Sequence, residues 1–249
     1  MKSIIYTFLI LFLISCNDKK QEQLEKSERI VDRTHEIKKS ESASKYQDTL
    51  KIKYQEHKDL LDILTVLPDS TMESWGWEAN ERVEFVKTIK KNNCIIGTNE
   101  HFSNIALIKP NTMEIQVVDG RWTLSIYEIK PSNYIVITDD IVGDGNDIKC
   151  FEYDNGKLVY IKMENLFGDF FTDLLIDKEN SRCVELLDDN KIGFEYNFKN
   201  AINVEISNSF YLKENENGDC LKGNILKYQF NKKTRKFDLL KIDWIESKK

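Results

Sequence analysis

Four aspartates and two glycines fall within ten residues in the middle of this chain, Thr138-Asp139-Asp140-Ile141-Val142-Gly143-Asp144-Gly145-Asn146-Asp147. Calcium takes roughly 6–8 hard oxygen ligands around a tight glycine turn, and D-x-D-x-D-G segments supply them. Asp140, Asp144 and Gly145 occupy the first, fifth and sixth positions of that pattern, and Asp147 adds a further carboxylate. Val142 stands at the third position with no side-chain oxygen, and the place of the closing carboxylate falls on Phe151. Calcium on Asp140, Asp144 and Asp147 is thus the one cofactor the sequence suggests. The missing oxygen leads us to expect no calcium-dependent stabilisation, with 139–147 serving as an acidic loop between two strands.

Ser74-Trp75-Gly76-Trp77 is the second candidate. Two exposed indoles around a glycine would form a stacking surface for a sugar or another ring, with Trp75 and Trp77 as ligand-binding residues. Buried, they would form a lid over the core, the commoner fate of tryptophan. Nucleophilic catalysis finds little to work with. The only histidines are His35, His57 and His101, and no G-x-S-x-G elbow or H-E-x-x-H pair is present. His101 after Asn99-Glu100 could serve as a general base only in a pairing that the fold would have to create. Glycoside hydrolysis needs two facing carboxylates, but with 42 acidic residues some pair is always available. No catalytic residue is assigned, and the expected protein is not an enzyme.

The elements that would position these residues fall into two groups. Tyr54, Leu60, Leu61, Leu64 and Leu67 recur at helical spacing until Pro68 stops them. A second helix is predicted over 78–92, with Ala79, Val83, Val86 and Ile89 on one face. Its glutamates lie early and its lysines late, as the helix dipole favours. From 104 onward the period becomes two, giving strands at 105–109, 113–118, 122–129, 134–138, 148–153 and 158–163. Asp119-Gly120 and Asn155-Gly156 read as two-residue hairpin turns, and Pro110-Asn111 and Pro131-Ser132 as two more. One helix is expected at 164–176, its Leu166, Phe167, Phe170, Phe171, Leu174 and Leu175 making a core-facing stripe that Gly168 weakens. Strands resume at 183–187, 193–198, 202–212, 224–230 and 237–245. The fold class is α+β: a mainly antiparallel meander, sandwich-like, with two N-terminal helices and one mid-chain helix packed on it.

Lysine and arginine number 36 against 42 acidic residues, a net charge of -6 with both signs interspersed. That balance excludes the basic stripe a nucleic-acid binder needs. Cys94 and Cys150 sit in apolar strand patterns and read as buried thiols. Cys220, in a turn-rich stretch, reads as the most exposed, and one disulfide is possible with no pairing assigned. Residues 17–50 carry eight acidic and eight basic side chains with no Gly or Pro, which reads as a solvated tether.

Ahead of the tether, Lys2 and an apolar run over 4–14 lead into Leu13-Ile14-Ser15-Cys16. That is the form of a secretory signal, too short for a comfortable membrane span. It resembles the lipobox of bacterial lipoproteins. The resemblance implies cleavage after Ser15, diacylglycerol on the Cys16 thiol and acylation of the new amino terminus, which together anchor a protein on a bilayer. The expected organisation is a signal peptide over 1–15, a lipid-anchored tether over 16–50 and one β-rich globular domain over 51–249, in the bacterial cell envelope. The membrane link would be the Cys16 lipid alone. Polar loops without a reactive constellation point to a non-enzymatic binding module for a protein or glycan. The alternatives are an inhibitor or immunity protein against an envelope-acting enzyme or toxin, and a motif-poor hydrolase of envelope polymers.

Overall fold

The computed structural model describes residues 49–96, 105–117, 120–143, 145–187, 193–208 and 211–246. The proposed signal peptide, Cys16, nearly all of the tether, His35, His101 and Asp144 lie outside these residues. No helix among the described residues is long and apolar enough to cross a membrane.

The chain enters on a short strand, β1 (Thr49–Lys51), pairing antiparallel with β2 (Cys94–Ile96). The folded chain therefore takes in two residues that the sequence placed in the tether. Between these strands lie a 3-10 turn (Tyr54–Glu56), α1 (Lys58–Leu64), a second 3-10 segment (Asp69–Trp75) and α2 (Ala79–Asn92). At the start of α2 the Glu81 carboxylate accepts the Glu78 N–H at 3.0 Å, satisfying one of the donors that a helix start leaves open. Asn93, in the left-handed region, ends it.

Six strands then form one antiparallel meander in sequence order: β3 (Ile105–Lys109), β4 (Thr112–Val117), β5 (Gly120–Lys130), β6 (Asn133–Val142), β7 (Gly145–Asp154) and β8 (Lys157–Ile161). Asn155 and Gly156 both have positive φ between paired Asp154 and Lys157, as a type I′ turn requires. Gly120 corrects the turn expected at Asp119-Gly120: it is a strand residue opposite Val117. Glycine is needed at this strand position for space and not for a turn, since an added Cβ would clash with the Ile141 carbonyl and stand 2.8 Å from the Trp75 ring. The acidic segment is not a loop either. β6 and β7 run through it, with Asp139 opposite Ile148, Asp140 opposite Asp147 and Val142 opposite Gly145.

The expected single helix at 164–176 is two, α3 (Met163–Phe167) and α4 (Phe170–Leu174), broken where Gly168 takes φ 72°. The strand expected at 183–187 is instead α5 (Ser181–Glu185), because the Asn180 side chain accepts the Cys183 N–H and caps a helix there. A second meander follows from β9 (Glu195–Asn197) and β10 (Asn203–Ser207) through the short α6 (Glu214–Asn217) to β11 (Ile225–Asn231) and β12 (Lys236–Asp243).

Alternation along β5 divides the core, because successive strand side chains point to opposite faces. Trp122, Leu124 and Ile126 join Tyr134, Val136 and Phe151 under α1 and α2. Tyr127, Ile135, Ile137 and Cys150 face the opposite way, onto α3, α4 and the four-stranded sheet. There the Tyr127 hydroxyl donates to the Phe198 carbonyl at 2.9 Å, and its ring meets Phe237 edge-on at 4.8 Å. A disulfide joins Cys183 to Cys220 and draws Cys220 inside, against the exposed position expected for it. Cys94 and Cys150 are buried thiols.

Candidate functional site

The two motifs singled out in the sequence meet at one corner of the six-stranded sheet. The Trp75 indole N–H donates to Asp140 Oδ1 at 2.8 Å across 65 residues of sequence, while its ring lies over Gly120. Asp140 is 3 % exposed. The Trp75 bond provides a polar partner for a carboxylate that would be costly to bury alone. Trp77 is buried and meets Phe85 edge-on at 5.0 Å. The indole surface open to solvent in this pair is therefore that of Trp75. Asp147, directly across from Asp140, is exposed and pairs with Lys149 Nζ at 2.6 Å. Lys149 also donates to the Ser70 carbonyl. Two of the three carboxylates proposed for calcium thus sit on paired strands with partners of their own. Among the described residues, no group of three or more His, Cys, Asp or Glu side chains is arranged to hold a metal ion.

The reason this corner is closed lies in α2. Arg82 is fully buried. Its guanidinium donates to the carbonyls of Leu64 at 3.2 Å, Leu67 at 2.5 Å and Trp77, and to Asp69 Oδ1 at 3.0 Å. One cation thereby collects the polar groups of the turn that carries both tryptophans. The Trp122 indole adds a bond to the Thr71 carbonyl at 2.8 Å.

The opposite face of the sheet carries a band of polar side chains between the two sheets. Thr112 and Ser125 join through their hydroxyls at 2.8 Å. Glu114 is paired with Lys199 and lies 3.7 Å from Arg121 Nε. Asp139, 2 % exposed, accepts the Asn146 amide N–H at 2.8 Å. Burial pushes the Asp139 carboxyl up to about 6; the Asn146 bond and the Arg121 charge oppose the rise, while Asp140 and Asp147 reinforce it.

Asn146 also lines a half-open cavity of about 550 Å³, within the size range of small-molecule sites. Its wall includes Phe170, Phe171, Phe194 and Tyr196, together with the acidic Glu164 and Asp169. The rings support one another: Phe170 and Phe171 stack at 4.4 Å and Phe194 meets Phe171 edge-on at 5.3 Å. Phe170 and Phe194 are buried, and Phe171 and Tyr196 are half-buried. Gly168 breaks the helix beside them, and Asp169 Oδ1 caps α4 by accepting the Thr172 N–H at 3.3 Å. From sequence, Phe170 and Phe171 read as core-packing residues of one helix and Asn146 as part of the acidic segment, and none was assigned to a ligand site. The available signal was Gly168, which interrupts an otherwise continuous aromatic stripe and so marks a place where the stripe turns away from simple core packing.

Fold and site together define an α+β protein in which two antiparallel meanders enclose a polar band that leads to an aromatic cavity. No protein-family model and no curated protein sequence matches the chain. Among solved structures it is similar to a domain of an uncharacterized protein from Porphyromonas gingivalis W83. Identity is 14% and the TM-score 0.49, over 73% of this chain and 98% of that one.

Proposed function

We propose that this chain is a lipid-anchored envelope protein whose domain binds a ligand, a glycan or a segment of a protein, in the cavity between α3, α4 and β9. The cavity carries the reading: stacked aromatic rings beside two carboxylates and a fixed amide suit recognition better than bond making. Placement outside the cytoplasm draws support from the Leu13-Ile14-Ser15-Cys16 signal and from the Cys183–Cys220 bridge, since disulfides persist in oxidising compartments.

Binding is tested by calorimetry with peptidoglycan fragments and chito-oligosaccharides against the native protein and Phe171→Ala. The expected result is a saturable heat that the substitution abolishes while the melting transition stays cooperative. If no such fragment binds the folded protein, the glycan form of the proposal fails. Anchoring is tested separately with Cys16→Ser, which should no longer take up a fatty-acid label. Retained label would refute the lipobox reading.

One observation favours a second reading, a hydrolase of envelope polymers. Asp139 has a raised carboxyl, the kind of shift that accompanies acid catalysis. Against it, Asp139 stands behind Asn146 and is not part of the cavity wall. Release of reducing sugar or peptide from purified cell-wall polymer, lost in Asp139→Asn, would establish the enzyme over the binder.

A further inference from the structure

The charge of the cavity wall narrows the ligand. Resting on the binding role proposed above, we infer that the group seated in this cavity is an organic ammonium ion on an apolar or ring-bearing stem. The described lining residues include two carboxylates, Glu164 and Asp169, and no Lys, Arg or His. The lysines that touch α4 are committed elsewhere, Lys178 to Thr172 Oγ1 at 3.3 Å and Lys222 to the Asp173 carbonyl at 3.0 Å. The polar partner at the other side of the cavity is Asn146. Its amide nitrogen is fixed on the buried Asp139 carboxyl, which leaves Oδ1 to accept. Acceptors therefore surround the space from α3, the α3–α4 break and β7.

The rings complete the arrangement. Aromatic faces attract cations within about 6 Å of their centroids, the attraction by which aromatic cages hold quaternary ammonium groups. Phe171 and Tyr196 keep part of their surface open, while Phe170 and Phe194 hold Phe171 in place from behind. A phosphate or carboxylate ligand would meet like charge at Glu164 and Asp169, with no cation among the described lining residues to offset it. A neutral sugar would find ring stacking and could donate hydroxyls to both carboxylates, but it would carry no charge to set against theirs.

The test is calorimetry on the native protein with three probes of similar size: benzyltrimethylammonium, benzyl alcohol and benzoate. The cation should bind about tenfold more tightly than the alcohol, weaken as salt rises, and exceed benzoate by a wider margin. Glu164→Gln and Asp169→Asn should each lower its affinity by about fivefold. The latter keeps a good helix cap, so folding is preserved. Two further arms separate the sources of the group: glucosamine for an amino sugar and Nα-acetyl-lysine methylamide for a peptide side chain. Equal affinity for cation and alcohol, with both lost in Phe171→Ala, would overturn the ammonium inference while leaving a binding cavity. No binding of any probe would overturn both.

Discussion

On one face of the six-stranded sheet the cover comes from residues 54–92 in immediate succession, and Arg82 ties their carbonyls into one buried knot. On the other face the cover is assembled from α3, α4 and four strands between 163 and 243, with a disulfide joining α5 to the turn after α6. The first face closes fully over Trp122 and Leu124. The second leaves a polar band and an aromatic cavity. A cover made of short pieces meeting at a glycine break has seams, and a seam lined by side chains of one kind is where a ligand can enter. A cover drawn from one continuous stretch has few.

The most severe way to break this contrast is Arg82→Ala. It leaves the Leu64, Leu67 and Trp77 carbonyls buried without their donor and should destabilise by about 3–5 kcal/mol in urea unfolding. A loss under about 1 kcal/mol would mean that the helical cover does not depend on the knot. On the other face, the Cys183→Ser, Cys220→Ser double variant should cost about 2–4 kcal/mol by thermal melting. An unchanged melting temperature would show that the assembled cover holds without its staple.

The polar band makes the comparison depend on pH. The Asp139 carboxyl lies near 6 in the folded state and near 4 when unfolded. From about pH 4 to 6 the folded form therefore holds a proton that the unfolded chain has released. This contribution is complete below about pH 4 and is lost as pH rises through 6, a difference of roughly 2–3 kcal/mol. Asp139→Asn should flatten that part of the stability profile, whereas a variant that keeps the native slope would place the titration elsewhere. The smallest effect is expected from Trp75→Phe, which keeps a ring over Gly120 but removes the bond to Asp140, for about 1 kcal/mol. Chemical denaturation measures it, and a loss above about 3 kcal/mol would make Trp75 part of the knot rather than its edge.

Local chemistry made much of the fold legible. Asn155-Gly156 can adopt two consecutive positive φ values, and they turn the chain where that capacity was noticed. α2 follows its dipole-ordered charges to within a residue of the expected ends. What escaped were residues whose partners lie far away in sequence. Arg82 reads as a surface cation until the carbonyls 15 and 18 residues before it are brought alongside. Asp140 reads as a loop ligand because nothing nearby announces the indole 65 residues earlier that donates to it. Cys183 and Cys220 carry no local sign of each other. The aromatic cavity was written as a stripe at helical spacing, and only the break at Gly168 separates a packed helix from a wall.

The β1–β2 pair gives the domain a particular mechanical character. A load applied upstream of Thr49 meets three paired residues first, then the Ile52 N–H bonded to the Asn93 carbonyl at 2.9 Å and the Tyr54 N–H bonded to the Asn93 side chain at 3.1 Å. These bonds stand in series ahead of the two large sheets. The small ladder is therefore the first paired structure that such a load would reach, and neither large sheet shares a strand with it.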